Sequence, residues 1–198
     1  MSGPGSAARL TGPGRLIVLS GPSGVGKDTV LRELFRLDPT LRYSVSYTTR
    51  PPRAGEQDGV SYSFVDPETF DAMVLRGDFL EHATVYGHQY GTSLQRVQEQ
   101  VARGDMIVLK IDVQGAERVR ERLGGAALFI FLLPPNPEEL RRRLEERNTE
   151  DRNSLVVREA TAEHELAEQA KYDHRVVNDD VRRAAREILD LIRGGVRA

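Results

Sequence analysis

The chain has 198 residues, a length that suits one compact domain with smaller insertions rather than two full domains. Hydrophobic residues make up 39% of it and charged residues 29%, as in soluble globular proteins, and a formal net charge of −2 does not suggest a nucleic-acid-binding protein. The chain has no cysteine, which excludes disulfide bonds and thiolate metal sites, and it has no apolar run near the ~18 residues of a membrane span.

The first fourteen residues, MSGPGSAARLTGPG, lack the apolar centre of a signal peptide. We therefore expect residues 1–14 to form a flexible tail. We also expect a cytoplasmic protein with neither nucleic acid nor a membrane among its partners, while the sequence leaves its protein partners unknown.

Short apolar runs alternate with amphipathic segments along the chain, which is the pattern of strands and helices that follow one another. The predicted strands are 15–20, 106–111, 128–133 and 173–178, and the predicted helices are 27–37, 114–123 and 181–192. Such alternation predicts an α/β fold in which helices cover both faces of a parallel sheet.

Two stretches interrupt this alternation. Residues 46–96 carry tyrosines, glycines and strand-like alternation, with one predicted helix that starts at Asp66-Pro67 and ends before Gly77. Residues 136–170 are almost wholly helical and charged, and they begin with an asparagine N-cap at position 136. This second stretch is too polar to form a core of its own, so it is either a solvated helical pair or a mobile lid.

A glycine-rich motif lies between the first predicted strand and the first predicted helix. The sequence GPSGVGK, from Gly21 to Lys27, matches GxxxxGK in the strand–loop–helix context that the motif requires. Its glycines let consecutive backbone N–H groups surround a phosphate chain, and Lys27 reaches the β- and γ-phosphates. A fortuitous glycine-rich turn is the alternative, but the flanking elements favour a nucleoside triphosphate site. Its residues are Gly21, Pro22, Ser23, Gly24, Val25, Gly26, Lys27, Asp28 and Thr29.

Position 28 departs from this motif. A Ser or Thr hydroxyl normally follows the lysine and contacts Mg²⁺, whereas this chain has Asp28 there, with Thr29 after it. A carboxylate suits Mg²⁺, but it also adds negative charge close to the phosphates. Asp28 as the metal ligand is therefore a hypothesis.

Seven blocks of the chain resemble the guanylate kinases. They are SGPSGVGKDT at 20–29, VSYTTRPPRAGE at 45–56, GVSYSFV at 59–65, FLEHATVYGHQYGTS at 79–93, IDVQG at 111–115, RRLEER at 142–147 and VVNDD at 176–180. The blocks lie in order and span nearly everything from residue 15 to the last helix, and the TTRxPRxGE pattern beside a P-loop is highly specific.

The resemblance implies a P-loop, three-layer parallel sheet core with a mixed α/β GMP-binding insertion and a helical lid. The implied core is 15–45, 97–135 and 171–198, the insertion is 46–96 and the lid is 136–170. The implied activity is direct in-line transfer of the γ-phosphoryl group of ATP to GMP, and also to dGMP, with Mg²⁺. ATP and GMP are then the expected binding partners.

Arg50 and Arg53 are three residues apart in a loop bounded by glycine and proline. This spacing allows two guanidinium groups to bind one phosphate from two sides. Tyr62 and Tyr90 could donate hydrogen bonds to the same phosphate, or they could simply pack on a small sheet. The resemblance implies that all four residues hold the phosphate of GMP.

Guanine recognition needs acceptors for N1–H and the 2-amino group. The resemblance places Glu81 and Asp112 as these carboxylate acceptors, with Ser46 and Thr92 as hydroxyl partners. Adenine presents an acceptor at N1, so an acidic pocket rejects it. Taken alone, Glu81 would be interpreted as a solvated surface charge.

The arginines between 136 and 170 have two interpretations. They could form a solvated helix face paired with neighbouring glutamates, or a closing segment could deliver them to the phosphoryl group during transfer. The resemblance favours the second interpretation for Arg143, Arg147 and Arg158. These three arginines are predicted to be catalytic, together with Lys27 and Arg50. The remaining three are interpreted as surface residues: Arg141, Arg142 and Arg152. Asn178 matches a position near the adenine of ATP.

Two rival functions stay open beside the kinase. One is phosphorylation of another small acceptor, such as a phosphorylated ribose, and the guanine-binding carboxylates argue against it. The other is a catalytically silent guanylate-kinase-like module that binds phosphorylated partners. The intact GxxxxGK motif and the lid arginines argue against that module.

A second departure from the family accompanies Asp28. Guanylate kinases usually have an aspartate two residues before the acid of the IDxQG block, where this chain has Lys110. Asp28 and Lys110 could face each other near Mg²⁺ as a charge-swapped pair, or they could be two independent changes. The sequence leaves both interpretations open.

Overall fold

The structure of the chain, a computed structural model, describes residues 10–85, 87–147 and 152–194, with no account of the side chains of 147 and 152–159. Its strands are β1 (Arg15–Ser20), β2 (Arg42–Tyr43), β3 (Tyr47–Thr48), β4 (Ser63–Phe64), β5 (Phe79–Val85), β6 (His88–Ser93), β7 (Met106–Lys110), β8 (Ala127–Leu133) and β9 (His174–Val177). Its α-helices are α1 (Lys27–Leu37), α2 (Pro67–Arg76), α3 (Leu94–Arg103), α4 (Val113–Leu123), α5 (Pro137–Arg147), α6 (Arg152–Ala167) and α7 (Val181–Gly194).

The larger sheet has five strands in the order β2-β7-β1-β8-β9. The pairs β2–β7 and β8–β9 are parallel, as expected for strands that alternate with helices. Five consecutive residues of β1, from Leu16 to Ser20, are buried, because a sheet covered on both faces has no solvent side. The predicted α/β fold and its four core strands are therefore confirmed, each strand within one residue at either end.

The chain divides into two compact units. Unit 1 comprises the chain up to Leu16 together with Arg42–Leu109 and Gln114–Ala127, and unit 2 comprises Ile17–Leu41, Lys110–Val113 and the chain from Leu128 onward. The domain boundaries drawn from the resemblance stay predictions. Of the predicted flexible tail, residues 1–9 lie outside the described part of the chain, and Gly14 N donates to Val101 O at 3.0 Å.

Unit 1 contains a second sheet with the strand order β4-β3-β6-β5. Its small core consists of Phe70, Met73 and Phe79. The helix α2 starts where Asp66 accepts a hydrogen bond from Thr69 N at 2.7 Å and ends at Gly77. Both ends of this helix were predicted from the sequence, and both are confirmed.

Unit 2 contains the charged helical stretch, which forms α5 and α6, while residues 148–151 between them lie outside the described residues. Asn136 caps α5 as predicted, accepting from Glu139 N at 2.7 Å. Leu140 and Leu144 of α5 pack with Ala162 of α6, so the pair has a small apolar seam of its own. Among the described helices, none has the length and apolar character needed to cross a bilayer.

Candidate active site

The phosphate loop, residues 21–27, connects β1 to α1 in unit 2, which is the context predicted for it. Gly26 caps α1 in the left-handed conformation, with φ of 96°, and a Cβ there would lie 2.6 Å from Asn178 Nδ2. Gly21 has φ of 143°, and a Cβ there would lie 2.4 Å from Leu132 O. Any other residue at these two positions would therefore be strained and would collide with its neighbours.

The ammonium group of Lys27 is held over this loop. Lys27 Nζ donates to Gly21 O at 2.5 Å and to Pro22 O at 3.1 Å. Burial lowers the pKa of Lys27, and the Glu165 carboxylate acts in the opposite direction. A cation is thus in place beside the backbone N–H groups that would surround a phosphate chain.

Asp28 and Lys110, the two departures from the usual motifs, contact each other in unit 2. Lys110 Nζ lies 2.5 Å from Asp28 Oδ1, and the side chains are 14% and 61% exposed respectively. Of the two interpretations that the sequence leaves open, the one in which these positions face each other agrees with this contact. The Asp28 carboxylate therefore has an ammonium partner, which offsets its negative charge.

Arg143 and Asn178 converge on one carbonyl of the phosphate loop. Val25 O accepts from Asn178 Nδ2 at 2.8 Å and from Arg143 Nη1 at 3.1 Å. Arg143 Nε also donates to Glu139 Oε1 at 2.7 Å, and hydrogen bonds from Arg142 and Arg143 lower the pKa of Glu139 to about 2. Two of the residues assigned to the ATP site by resemblance thus lie beside the loop.

The other arginines of this stretch divide into two groups. Arg141 and Arg142 are 66% and 56% exposed and pair with glutamates of their own helix, so they lie on the surface as interpreted. The side chains of Arg147, Arg152 and Arg158 lie outside the described residues, although all three positions fall within α5 or α6.

Unit 1 holds a cluster of arginine and tyrosine side chains. Arg50 is 8% exposed and donates through Nη2 to both carboxylate oxygens of Glu56, at 2.7 and 2.9 Å. The Arg50 guanidinium carbon lies 5.4 Å from the centre of the Tyr62 ring, and Tyr62 packs edge-on against Tyr90 with centroids 5.9 Å apart. Although burial opposes it, the bond to Glu56 and the nearby Tyr90 raise the pKa of Arg50, which keeps it cationic.

Glu56 fixes this loop, although the sequence alone assigns it no role of its own. Besides binding the Arg50 side chain, the Glu56 carboxylate accepts from the backbone N–H of Arg53 at 2.7 Å. The Arg53 side chain is exposed. The glycine–glutamate pair that follows both arginines in the sequence was the available signal. Arg50, Arg53, Tyr62 and Tyr90, the four residues predicted to hold the phosphate of GMP, are called the acceptor cluster below.

Glu81, Thr92 and Ser46 are buried in the same unit. Glu81 on β5 is 4% exposed and faces Thr92 on β6, whose hydroxyl donates to Glu81 Oε1 at 2.5 Å. Ser46, which is 6% exposed, lies just before β3. Because Glu81 is buried, the interpretation of this residue as a solvated surface charge is wrong. A buried carboxylate needs hydrogen-bond partners that compensate for its lost hydration.

Asp112 belongs to unit 2, where it is partly buried. Its charge raises the pKa of Lys27 and of Glu165, so it contributes to the electrostatics of the phosphate loop. Glu165, on α6, also contacts the loop directly, since Ser23 N donates to its Oε2 at 2.9 Å. No sequence signal links Ser23 to a residue 142 positions away. The role of Asp112 in binding guanine stays a prediction.

Comparison with known proteins gives one consistent result. The family model described as guanylate kinase matches residues 13–194. The chain is 49% identical to a guanylate kinase of Alkalilimnicola ehrlichii over 176 residues, which are 89% of this chain and 86% of that protein. It is 48% identical to one of Frankia casuarinae, over 92% of this chain and 98% of that protein.

A solved structure gives the same assignment. The crystal structure of guanylate kinase from Anaplasma phagocytophilum superposes with a TM-score of 0.77 at 33% identity, covering 96% of this chain and 90% of that chain. The chain therefore belongs to the guanylate kinase family, whose enzymes transfer a phosphoryl group from ATP to GMP.

Proposed function

We propose that ATP binds on the phosphate loop of unit 2 and that GMP binds through the acceptor cluster and Glu81 of unit 1. The observation that carries this proposal is the buried Glu81–Thr92 pair, in the same unit as the cationic acceptor cluster. A purine monophosphate with hydrogen-bond donors on its base suits a unit that offers both a buried carboxylate acceptor and guanidinium groups.

The ATP site is built from backbone groups more than from side chains. Backbone N–H groups of the loop and of the first turn of α1 would surround the phosphates, where the helix dipole favours negative charge. Lys27 would contact the β- and γ-phosphates. Asn178, which donates to Val25 O on this loop, would lie near the adenine.

The acceptor cluster would bind the GMP phosphate by charge and geometry. Arg50 is already held by two oxygens of Glu56, so little side-chain freedom is lost when a phosphate arrives. The exposed guanidinium of Arg53 and the phenols of Tyr62 and Tyr90 can donate further bonds to the same oxygens. The same contacts would serve GMP and dGMP, since no contact of the acceptor cluster depends on the ribose 2′-hydroxyl.

Guanine would be recognised by acceptors placed for its donors. Glu81 would accept from N1–H or the 2-amino group, with Thr92 and Ser46 of the same unit as further partners. Adenine has no 2-amino group and presents an acceptor at N1. It would therefore offer no donor from the base to a buried carboxylate, which is the condition that gives strong discrimination.

Transfer would proceed in line from ATP to GMP without a covalent enzyme intermediate, since phosphoryl transfer depends mainly on positioning and charge. Lys27, Arg50, Arg143, Arg147 and Arg158 would stabilise the charge on the moving group. We propose residues 136–170 as a lid that excludes water, which would otherwise hydrolyse ATP. Because ATP and GMP are its substrates, we place the enzyme in the cytoplasm.

Asp28 is the residue that we propose to hold Mg²⁺. Its carboxylate is a hard oxygen donor at the first turn of α1, and 61% of its side chain is exposed, so the site fits a cation that keeps several waters. When bound, Mg²⁺ would neutralise part of the negative charge of the ATP phosphates. Lys110 holds Oδ1 of the same carboxylate and sets the local charge balance.

The ion pair of Asp28 and Lys110 predicts coupled effects on turnover. Asp28→Ser would take the carboxylate away from the Lys110 ammonium beside the metal site, and Lys110→Asp would put two carboxylates in contact, so each should lower kcat at least about tenfold. The double variant would hold a hydroxyl beside a carboxylate and should recover most of the loss. A double-mutant cycle on kcat should give a coupling of about 2–3 kcal/mol. Strictly additive losses would instead support two independent changes.

Arg53 offers the cleanest test of the acceptor cluster, because it is exposed and its loss should not disturb packing. Arg53→Ala should raise the KM for GMP about 30-fold or more, corresponding to ~2 kcal/mol or more for a charge-assisted phosphate contact, and leave the KM for ATP nearly unchanged. Arg76→Ala is the matched control, since Arg76 is 59% exposed in the same unit. Unchanged GMP kinetics in Arg53→Ala would remove the acceptor-site assignment.

A further inference from the structure

Glu165 is a buried carboxylate for which the reaction outlined above has no use. It lies near the C-terminal end of α6, and the residue is 7% exposed. Burial raises its pKa, while Lys27 and the bond from Ser23 N act in the opposite direction. A carboxylate with so little access to water is costly to keep unless its contacts compensate for the lost hydration.

Glu165 contacts the phosphate loop directly and also acts electrostatically on the lysine of that loop. Glu165 Oε2 accepts from the Ser23 backbone N–H at 2.9 Å, at the start of the loop. Among the charges that act on Lys27, that of Glu165 has the largest effect on its pKa and favours the ammonium form. One side chain of α6 therefore fixes a backbone amide of the loop and balances its lysine.

The position of this contact gives it a specific effect. The loop must hold its N–H groups in one arrangement before the phosphates arrive, because ordering them during binding would cost affinity. Ser23 precedes Gly24 and Gly26, both at positive φ, so the loop backbone has little intrinsic preference for a single shape. A fixed acceptor at Ser23 limits this freedom from outside the loop.

We propose that Glu165 is a positioning residue for ATP: its carboxylate holds the Ser23 amide and thereby preorganises the phosphate loop from α6. This inference rests on the proposed binding of ATP at that loop. The Glu165–Ser23 contact would couple ATP binding at the loop to α6, a helix of the proposed lid. Its loss should affect the binding of ATP and not that of GMP.

The test measures ATP affinity directly, by calorimetric titration of ATP into the protein without GMP, together with KM values for both substrates. Glu165→Ala removes the acceptor and should raise the Kd and KM for ATP roughly 10- to 100-fold while leaving the KM for GMP within about twofold. Glu165→Gln keeps an acceptor oxygen of the same reach and should restore most of the ATP affinity. Glu163→Ala, an exposed glutamate of the same helix, is the matched control and should change nothing.

Glu165→Asp covers the case in which the alanine variant does not fold, because it keeps the charge and withdraws the acceptor by one methylene. It should raise the KM for ATP at least about threefold with little change in the melting temperature. An unchanged ATP affinity in both the Asp and Ala variants, or an equal rise in both KM values, would overturn the proposal. Failure of the unmodified protein to bind ATP would instead remove the loop assignment itself.

Discussion

Lys27→Ala should lower kcat/KM for ATP by about 30-fold to several thousand-fold, because losing one partner of a charge-assisted phosphate contact costs ~2–5 kcal/mol. Lys27 Nζ is held by two loop carbonyls at 2.5 and 3.1 Å, so the ammonium is in position before ATP binds. Steady-state kinetics with ATP and GMP varied in turn would measure the effect. The loss should fall on ATP use and turnover.

Lys171→Ala is the control for this experiment. Lys171 is 47% exposed and pairs with Glu168 on the surface of the same unit, so its loss changes the net charge equally without touching the loop. Direct GMP binding should be the same in both variants. A Lys27→Ala enzyme with wild-type kcat/KM for ATP would show that the phosphate loop does not carry the reaction.

Glu81→Gln should lower kcat/KM for GMP at least about a hundredfold and narrow the preference for GMP over AMP. The amide keeps the shape of the side chain but turns one acceptor into a donor, which would face a guanine donor. Adenine N1, which is an acceptor, would meet that amide donor more favourably. The kinetics of GMP and AMP at saturating ATP measure both parts of this prediction.

Glu68→Gln controls for the loss of a carboxylate, since Glu68 is exposed on α2 in the same unit. The melting temperature of Glu81→Gln should be recorded too, because Thr92 donates to this carboxylate in a buried pair. A variant that loses GMP and AMP turnover in equal proportion would indicate a structural role for Glu81 instead of base recognition.

Much of the fold follows from local sequence. The apolar run 15–20 predicts β1, and the glycines after it predict the phosphate loop. Both depend mainly on interactions between residues that are close together in the sequence. The ends of α2 could be predicted for the same reason, because Asp66 and Gly77 act on the backbone next to them. Patterns of this kind need no knowledge of tertiary packing.

Contacts between distant segments could not be predicted in this way. Glu165 contacts Ser23, which lies 142 positions earlier in the chain. The sequence of α6 indicates only a charged helix and gives no sign of this contact. The burial of Glu81 could not be predicted either, because its partner Thr92 becomes a neighbour only when β5 and β6 pair. The Asp28–Lys110 contact was anticipated only because both residues depart from a known pattern. The environment of a side chain whose partners come from distant segments can be determined only from the folded chain.

The most direct measurement for this account is a coupled assay of the unmodified protein with ATP and Mg²⁺, offering GMP, AMP, UMP and ribose phosphates in parallel. If Glu81 and its partners accept from guanine donors, GMP should be phosphorylated with a kcat/KM at least about a hundredfold above that of AMP, with UMP and the ribose phosphates lower still. Equal efficiency on AMP and GMP would contradict the proposed reading of guanine by the buried carboxylate of unit 1.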